Sequence, residues 1–350
     1  MRLLFDAMSG DNAPIENLKG ARLAADQFTE DQIILVGREA ELRRLAGEQN
    51  IPLDRLEFLD APDLLTMEDD PMSILRAGKN SSMAVGFRAL AEGKGDAYVT
   101  AGNTGAFVAG ATFIVKRMSG IKRPALAPLI PSKEGFYQLL DVGANAVCRP
   151  EMLVQFGLMG SIYMKKIMKI ENPRVGLVNI GVEDHKGTPL QQEAYQMMKN
   201  QHLFNFIGNA EARDIPLGVC DVAVCDGFTG NVILKTSEGL SKMLMTTLKE
   251  AIKSSFKSMM GGLLVKGSLG KIKKSMDYKE QGGAVLLGVK APCIKAHGSS
   301  DAKAFYNALR QARNVVSQGV IPAIQSGLAE IRAQEKDPAD GKEAAPSVTP

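Results

Sequence analysis

DVAVCDGFTGNVILKTSEG, residues 221–239, reads as a short apolar strand at 222–225, a Gly-rich loop at 226–230 and a helix opening near Asn231. A loop of this kind leaves backbone N–H groups at a helix N-terminus, where they favour an anion. The same unit recurs along the chain. DAMSGDNAP (6–14) follows Leu3-Leu4-Phe5, and TAGNTGA (100–106) follows Ala97-Tyr98-Val99. DVGANA (141–146) follows Leu139-Leu140, and NIGVEDHKG (179–187) follows an apolar run at 175–178. In an open α/β sheet the carboxyl ends of the strands face one crevice, where ligands bind. The expectation is a polar, Gly-lined cleft suited to an anion.

Outside these loops, strand and helix patterns alternate. Residues 33–36 read as a strand, and 38–48, 72–92, 104–117 and 151–168 read as helices. Strands joined by helices imply mostly parallel pairing with right-handed crossovers. Apolar strands with little alternation fit a sheet covered on both faces. The fold class expected is α/β, a Rossmann-like three-layer α/β/α arrangement over residues 1–330. Residues 122–133, KRPALAPLIPSK, hold three prolines and cannot be helical. They read as an extended excursion near the cleft. Residues 333–350 are rich in Pro, Ala, Glu, Asp and Lys, and 331–350 is expected to be a disordered tail.

Bulk composition narrows the classes of function. The 350 residues are 45% hydrophobic and 23% charged, ordinary for a soluble protein. Aromatics are scarce at 5%, which argues against base stacking, and a net charge of +3 is too small to imply a polyanion. No nucleic-acid partner is expected. No signal peptide and no membrane-spanning run is visible, so the expected location is cytoplasmic. The four cysteines, Cys148, Cys220, Cys225 and Cys293, lack CxxC spacing and have only three His to join them. They read as buried, reduced thiols, with Cys220 and Cys225 on opposite faces of one strand, and no metal is expected.

Residues 241–276 hold eight Lys and one acid, Glu250. Lys249, Lys253 and Lys257 form one stripe, with Leu248, Ile252, Phe256, Met259 and Leu263 on an adjacent face. Gly261-Gly262 is expected to interrupt the helix and expose Leu263, Leu264 and Val265. Two readings stand. One is a Lys-fringed helix packed on its own protein, for instance in a dimer; the other is a peripheral membrane or acidic-partner surface.

GxxxxGK[ST], GxSxG and HExxH are all missing. What remains is a set of donors at strand ends. Lys186 sits in VEDHKGTP, where a Lys can neutralise a phosphate or a developing oxyanion. Asn231 could donate to the same anion or simply cap a helix. Asn103, Thr104 and Gly105, Asn145, and Gly227, Thr229 and Gly230 fit the same description, each with a cap or turn reading beside it. Asp6, Asp11, Asp141 and Asp226 are acids at strand ends that could orient Lys186 or bind a metal; without a His or Cys cluster they read as orienting and turn-building, and Asp6 is also a candidate for substrate contact. His297, in IKAHGSSDAKA, is a general acid/base or a structural His.

These motifs, with GGAVLLGV at 282–289, resemble in order the signature set of the bacterial acyl-acyl-carrier-protein:phosphate acyltransferases, from Met1 to about Leu328. CDGFTGN and KAHGSSDA are the specific matches. The first loop of that family usually reads DAMGGDHAP; here Ser9 and Asn12 stand in place of a Gly and the His, which puts a catalytic His in that loop in doubt. Ser9 and Gly10 remain candidates for substrate contact, Ser9 with a hydroxyl to donate. The resemblance implies a homodimer, without metal or nucleotide cofactor, that transfers a fatty acyl group from acyl carrier protein to inorganic phosphate. The acyl phosphate would feed a membrane glycerol-3-phosphate acyltransferase. Peripheral membrane or carrier contact would then fall to Lys249, Lys253, Phe256, Lys257, Leu263 and Leu264. Two alternatives carry a different function: a nicotinamide-dependent oxidoreductase of the isocitrate type, and a membrane-associated scaffold.

Overall fold

A computed structural model describes residues 1–275 and 281–336. Two sheets share the strands. The first has the order β3 (Leu56–Asp60), β2 (Gln32–Gly37), β1 (Arg2–Asp6), β4 (Ala97–Thr100), β12 (Cys293–Lys295), β11 (Ala284–Leu287) and β5 (Ala125–Ala127). Neighbours from β3 to β12 are parallel, and β11 runs against both of its neighbours. The second has the order β6 (Leu129–Ser132), β7 (Gly135–Leu140), β10 (Val222–Val224), β8 (Arg174–Asn179) and β9 (Asn205–Glu211), with only β6 antiparallel. The expected α/β class holds, but the strand ends that read as lining one sheet's crevice are divided between two sheets. Strand pairing is long-range, and nothing local in an apolar run says which sheet it joins.

Alternation within each strand sets the layers. Leu3 and Phe5 of β1, Ile33 and Leu35 of β2, and Val222 and Val224 of β10 point into one core that runs beneath both sheets. It is closed by α1 (Ile15–Gln27), α5 (Pro150–Ile167), α9 (Ala302–Ser317) and α10 (Val320–Lys336). Leu4, Ile34 and Tyr98 point the other way, under α3 (Ser82–Ala91) and α4 (Thr104–Gly110). On the outer face of the second sheet Tyr137, Leu139, Ala223 and Cys225 pack beneath the start of α7 (Gly227–Lys253). Helices therefore cover both faces of both sheets. The periphery is completed by α2 (Glu39–Glu48) and α6 (Pro189–Lys199).

Several sequence expectations are corrected. The 72–92 helix is a single 3-10 turn, Pro71–Leu75, followed by turns and then α3, which starts at Ser82 because the Ser81 hydroxyl caps Ala84 N–H. The 104–117 helix changes character at Ala111 and ends in a π-helical stretch, Ala111–Lys116. Cys220 and Cys225 line the same core rather than opposite faces, because Cys220 precedes β10 and escapes its alternation. Residues 122–133 are extended, as read, and they carry the chain from β5 in one sheet to β6 in the other across the single residue Pro128. The helix continues through Gly261-Gly262. The break falls earlier, at Ser254-Ser255, where the Ser254 hydroxyl bonds Ala251 O and the Ser255 hydroxyl accepts from Ser258 N–H to start α8 (Phe256–Ser275). Lys257 is therefore on a different helix from Lys249 and Lys253. Residues 331–336 belong to α10; the expected disordered segment 337–350, and Met276, lie outside the described residues.

Candidate active site

The carboxyl ends of β1 and β4 are tied together by one buried carboxylate. Asp6 is fully buried. One of its oxygens accepts the Met8 N–H at 3.1 Å; the other accepts the Ser9 hydroxyl at 2.6 Å and the Thr100 hydroxyl at 2.7 Å. Ser9 therefore has no proton left to donate to a substrate. Gly10 takes φ +118°, which only Gly adopts readily, and lets Asp11 N–H reach Gly298 O at 2.8 Å. Asn12 donates to Ser300 O at 3.3 Å. The first loop and the 297–300 loop are thus one wall.

A buried cation lies behind that wall. Lys295, at the end of β12, donates to Ala101 O (3.1 Å) and Ala296 O (2.7 Å). Burial pulls its pKa down to about 8, against the pull of Asp6 and Asp11. Sequence reading missed it. The available signal was a Lys closing an apolar strand, CIK, at 293–295. His297 is exposed. The Ser299 N–H donates to its Nδ1 at 3.1 Å, so the neutral ring carries its proton on Nε2. Partial desolvation of the ring against the loop, and the neighbouring Lys235, hold its pKa below the ordinary imidazole range. The Ser300 hydroxyl nearby is buried and has no hydrogen-bond partner among the described residues.

The second wall comes from the other sheet. Asp141, at the end of β7, is fully buried. It accepts from Leu126 N–H (2.8 Å), Asn145 N–H (2.6 Å) and the Asn145 amide (2.9 Å). Burial raises its pKa to about 6 despite those donors. The same Asn145 amide donates to Pro124 O at 2.7 Å, so it is fully engaged in holding its own loop. After β10 the helix begins at Gly227, four residues before its expected start. GFTG is the first turn of α7 rather than a loop, because the Asp226 carboxylate caps Thr229 through both its N–H (2.9 Å) and its hydroxyl (2.8 Å). Gly227 and Gly230 allow close approach. A Cβ on Gly230 would stand 1.9 Å from Asp141 O, and one on Gly227 would stand 2.7 Å from Asn145 O.

Asn103 caps α4 by accepting from Ala106 N–H at 3.0 Å and donates to Met67 O at 2.8 Å. Thr104 and Gly105 are exposed in the first turn of that helix.

Against this background of engaged donors, two candidates differ. Asn231 lies in the second turn of α7, exposed and against Gly143, with no hydrogen bond among the described residues. Lys186 follows β8, the neighbour of β10. Its backbone is held by the Asn179 amide on Lys186 O (3.1 Å) and by Glu183 O (3.2 Å), and its stem packs on Gly181. Its ammonium makes no ion pair among the described residues. One turn beyond Asn231, Lys235 pairs with Glu238 at 2.9 Å, and both act electrostatically on His297. The third turn of α7, where Lys235 stands, therefore lies on the side of the His297 loop.

All four thiols are buried, and burial pushes Cys148 and Cys220 up to about 12. They are poor nucleophiles at neutral pH. Lys186 and Asn231 thus stand at the ends of the adjacent strands β8 and β10 as donors with no side-chain partner among the described residues.

A family model described as fatty acid synthesis protein matches residues 1–323. The chain is 47% identical over 331 residues to a phosphate acyltransferase of Clostridium tetani, covering 95% of this chain and 99% of that one. It is 46% identical to one of Caldanaerobacter subterraneus subsp. tengcongensis, covering 94% and 97%. Among solved structures it is similar to the EutD phosphotransacetylase from Staphylococcus aureus, with a TM-score of 0.56 at 16% identity, covering 90% and 94%. A branched-chain phosphotransacylase from Enterococcus faecalis V583 superposes with a TM-score of 0.55 at 13% identity, covering 90% and 99%. At those identities the two structures speak to fold alone.

Proposed function

The chain belongs to the fatty acid synthesis protein family, alongside enzymes named phosphate acyltransferase, and from that premise we propose that it moves a fatty acyl group from acyl carrier protein to inorganic phosphate. The acyl phosphate formed is a precursor for phospholipid synthesis, consumed by a membrane glycerol-3-phosphate acyltransferase. Residues 1–330 act as one catalytic unit in this reading. The observation that carries it is the pair of unengaged donors, Lys186 and Asn231, at adjacent strand ends where nearly every other polar side chain is occupied by the fold.

Phosphate binds between Lys186, Asn231, the loop at Gly10 and the first turns of α4 and α7 at Thr104, Gly105 and Gly227. A phosphate oxygen attacks the thioester carbonyl carbon. The new C–O bond forms as the C–S bond breaks, and the proton of hydrogen phosphate ends on the departing carrier sulfur. Lys186 offsets the repulsion between phosphate and the developing oxyanion, and Asn231 orients the attack. His297, with its proton on Nε2, donates a hydrogen bond to the charge gathering in the transition state. Raised thiol pKa values support direct displacement without an acyl-enzyme.

The molecule works as a homodimer touching the bilayer peripherally. No helix among the described residues is long and apolar enough to cross a membrane. The hairpin of α7 and α8 nevertheless exposes Phe256, Met259, Met260, Leu263 and Leu264, with Lys249, Lys253 and Lys257 beside them. An apolar patch fringed by Lys suits an anionic lipid surface.

The test is incubation with palmitoyl-acyl carrier protein, with and without inorganic phosphate, followed by intact mass. Free carrier and acyl phosphate appear only with phosphate. Release without phosphate would make the protein a thioesterase, and an acylated form of the protein itself would overturn direct displacement.

A further inference from the structure

Beside the cleft, two adjoining concavities of about 640 and 430 Å³ meet at Arg117, Gly120 and Ile121. Six cations stand around them: Lys116, Arg117, Lys122, Arg123, Arg149 and Lys290. All six are exposed, and no acidic side chain lines either concavity. Elsewhere on the surface Arg22, Arg38, Arg43, Arg44, Arg174 and Arg213 each lie against a carboxylate. Among the described residues, none of the six basin cations does.

The basin is also built rigidly. The π-helical stretch ends at Lys116, a non-Gly residue held at φ +75°, and Lys290 N–H locks that turn by donating to Lys116 O at 3.0 Å. Gln155 bridges Gly120 O and Lys122 N–H, both at 2.9 Å. The Arg117 guanidinium donates to Lys122 O. Phe113, 55% exposed, adds an apolar contact on the basin wall. Pinning like charges together without counter-charges raises self-repulsion, which an acidic surface relieves on docking.

Two of the basin cations adjoin, along the chain, segments that build the second wall of the site. Arg123 immediately precedes Pro124, whose carbonyl holds Asn145, and Arg149 follows the same 141–148 loop that meets α7 at Gly227. We propose that this basin, rather than the Lys-rich hairpin, docks the acidic surface of the acyl carrier protein, so that its thioester arm enters the cleft past the 141–148 loop. This rests on the acyl-transfer reading above.

Two measurements on the full chain separate the claims. The first is fluorescence anisotropy of labelled carrier against wild type and K122E/R123E/R149E, with R44E/K94E as a surface control. The second is the phosphate-dependent release assay on the same proteins. Reversal weakens carrier binding and raises carrier KM by about tenfold or more, with the phosphate KM unchanged, kcat at saturating carrier within about twofold, and the control like wild type. A folded reversal variant with wild-type carrier binding and KM would sink the proposal. So would a shift from dimer to monomer in sedimentation, which would assign the basin to contact between copies. If wild type releases no carrier with phosphate, the acyl-transfer reading fails; loss of carrier binding in the variant would still uphold the docking surface.

Discussion

On the proposed reading, replacing Lys186 with Ala removes the cation that the end of β8 offers to phosphate. We expect turnover to fall by about 10²–10³-fold with thermal stability unchanged, and Asn231→Ala by about 10–10²-fold. Steady-state kinetics with a melting curve for each variant would decide it; wild-type turnover removes that residue from the site. Lys295 makes a prediction of a different kind. Its folded pKa is about 8 and its ordinary value 10.5, so between them the unfolded chain binds more proton and stability rises with pH. Below about 8 both states are charged and the burial penalty is present in full. Urea midpoints at pH 8 and 10 should therefore change more favourably in wild type than in Lys295→Met, over the loss that the buried thiols impose on both, and a parallel change in the two proteins would refute the assignment. These residues were unequally legible. Lys186 and Asn231 stand out as a Lys and an Asn at Gly-rich strand ends, and among the described residues their side chains have no partner. Ser9, Asn103 and Asn145 carried the same local signal, but their partners lie in other loops, and only the fold shows that Asp6, Met67 and Asp141 already hold them. Lys295 was hidden because its surroundings come from β1 and β4.

At the scale of elements, strands were read well and helix ends poorly. An apolar run of four or five residues is a local fact, whereas the start of α7 depends on Asp226 finding Thr229 three residues on. Gly-rich composition at 227–230 mimicked a loop. Those glycines answer to packing instead. Because a Gly230 Cβ would stand 1.9 Å from Asp141 O, Gly230→Ala must push α7 off the second sheet. We expect a loss of about 3 kcal/mol or more in denaturant titration, against a gain of up to about 1 kcal/mol for Gly239→Ala, a helix-interior site whose Cβ meets nothing within 4 Å. Equal midpoints would show that the helix tolerates displacement. The break at Ser254-Ser255 was equally hard to see, since Gly261-Gly262 looks like the stronger interruption. Two serine hydroxyls bonding the backbone outweighed it.

Across the whole molecule, the α/β class was legible from alternating patterns, while the division into two sheets was not. The exposed hairpin is where this scale can be tested. Leu264 is 88% exposed and Phe256 76%, an arrangement that water disfavours. Wild type should float with anionic phospholipid vesicles, and Leu263→Glu with Leu264→Glu should stay in the soluble fraction with acyl transfer in solution unchanged. Flotation of the double variant would place the lipid contact elsewhere.

α7 is a single unbroken rod of 27 residues, about 40 Å from end to end. Its first two turns are bolted to the second sheet and carry Asn231; its far end belongs to the hairpin. A rod so held behaves as a lever with its fulcrum at Gly230. Any tilt imposed by whatever seats on the distal end is delivered to Asn231, and any tightening around Asn231 is returned to the distal end. Where such a tilt separates the filled cleft from the empty one, thermodynamic reciprocity requires the two ends to change each other's affinity by the same factor.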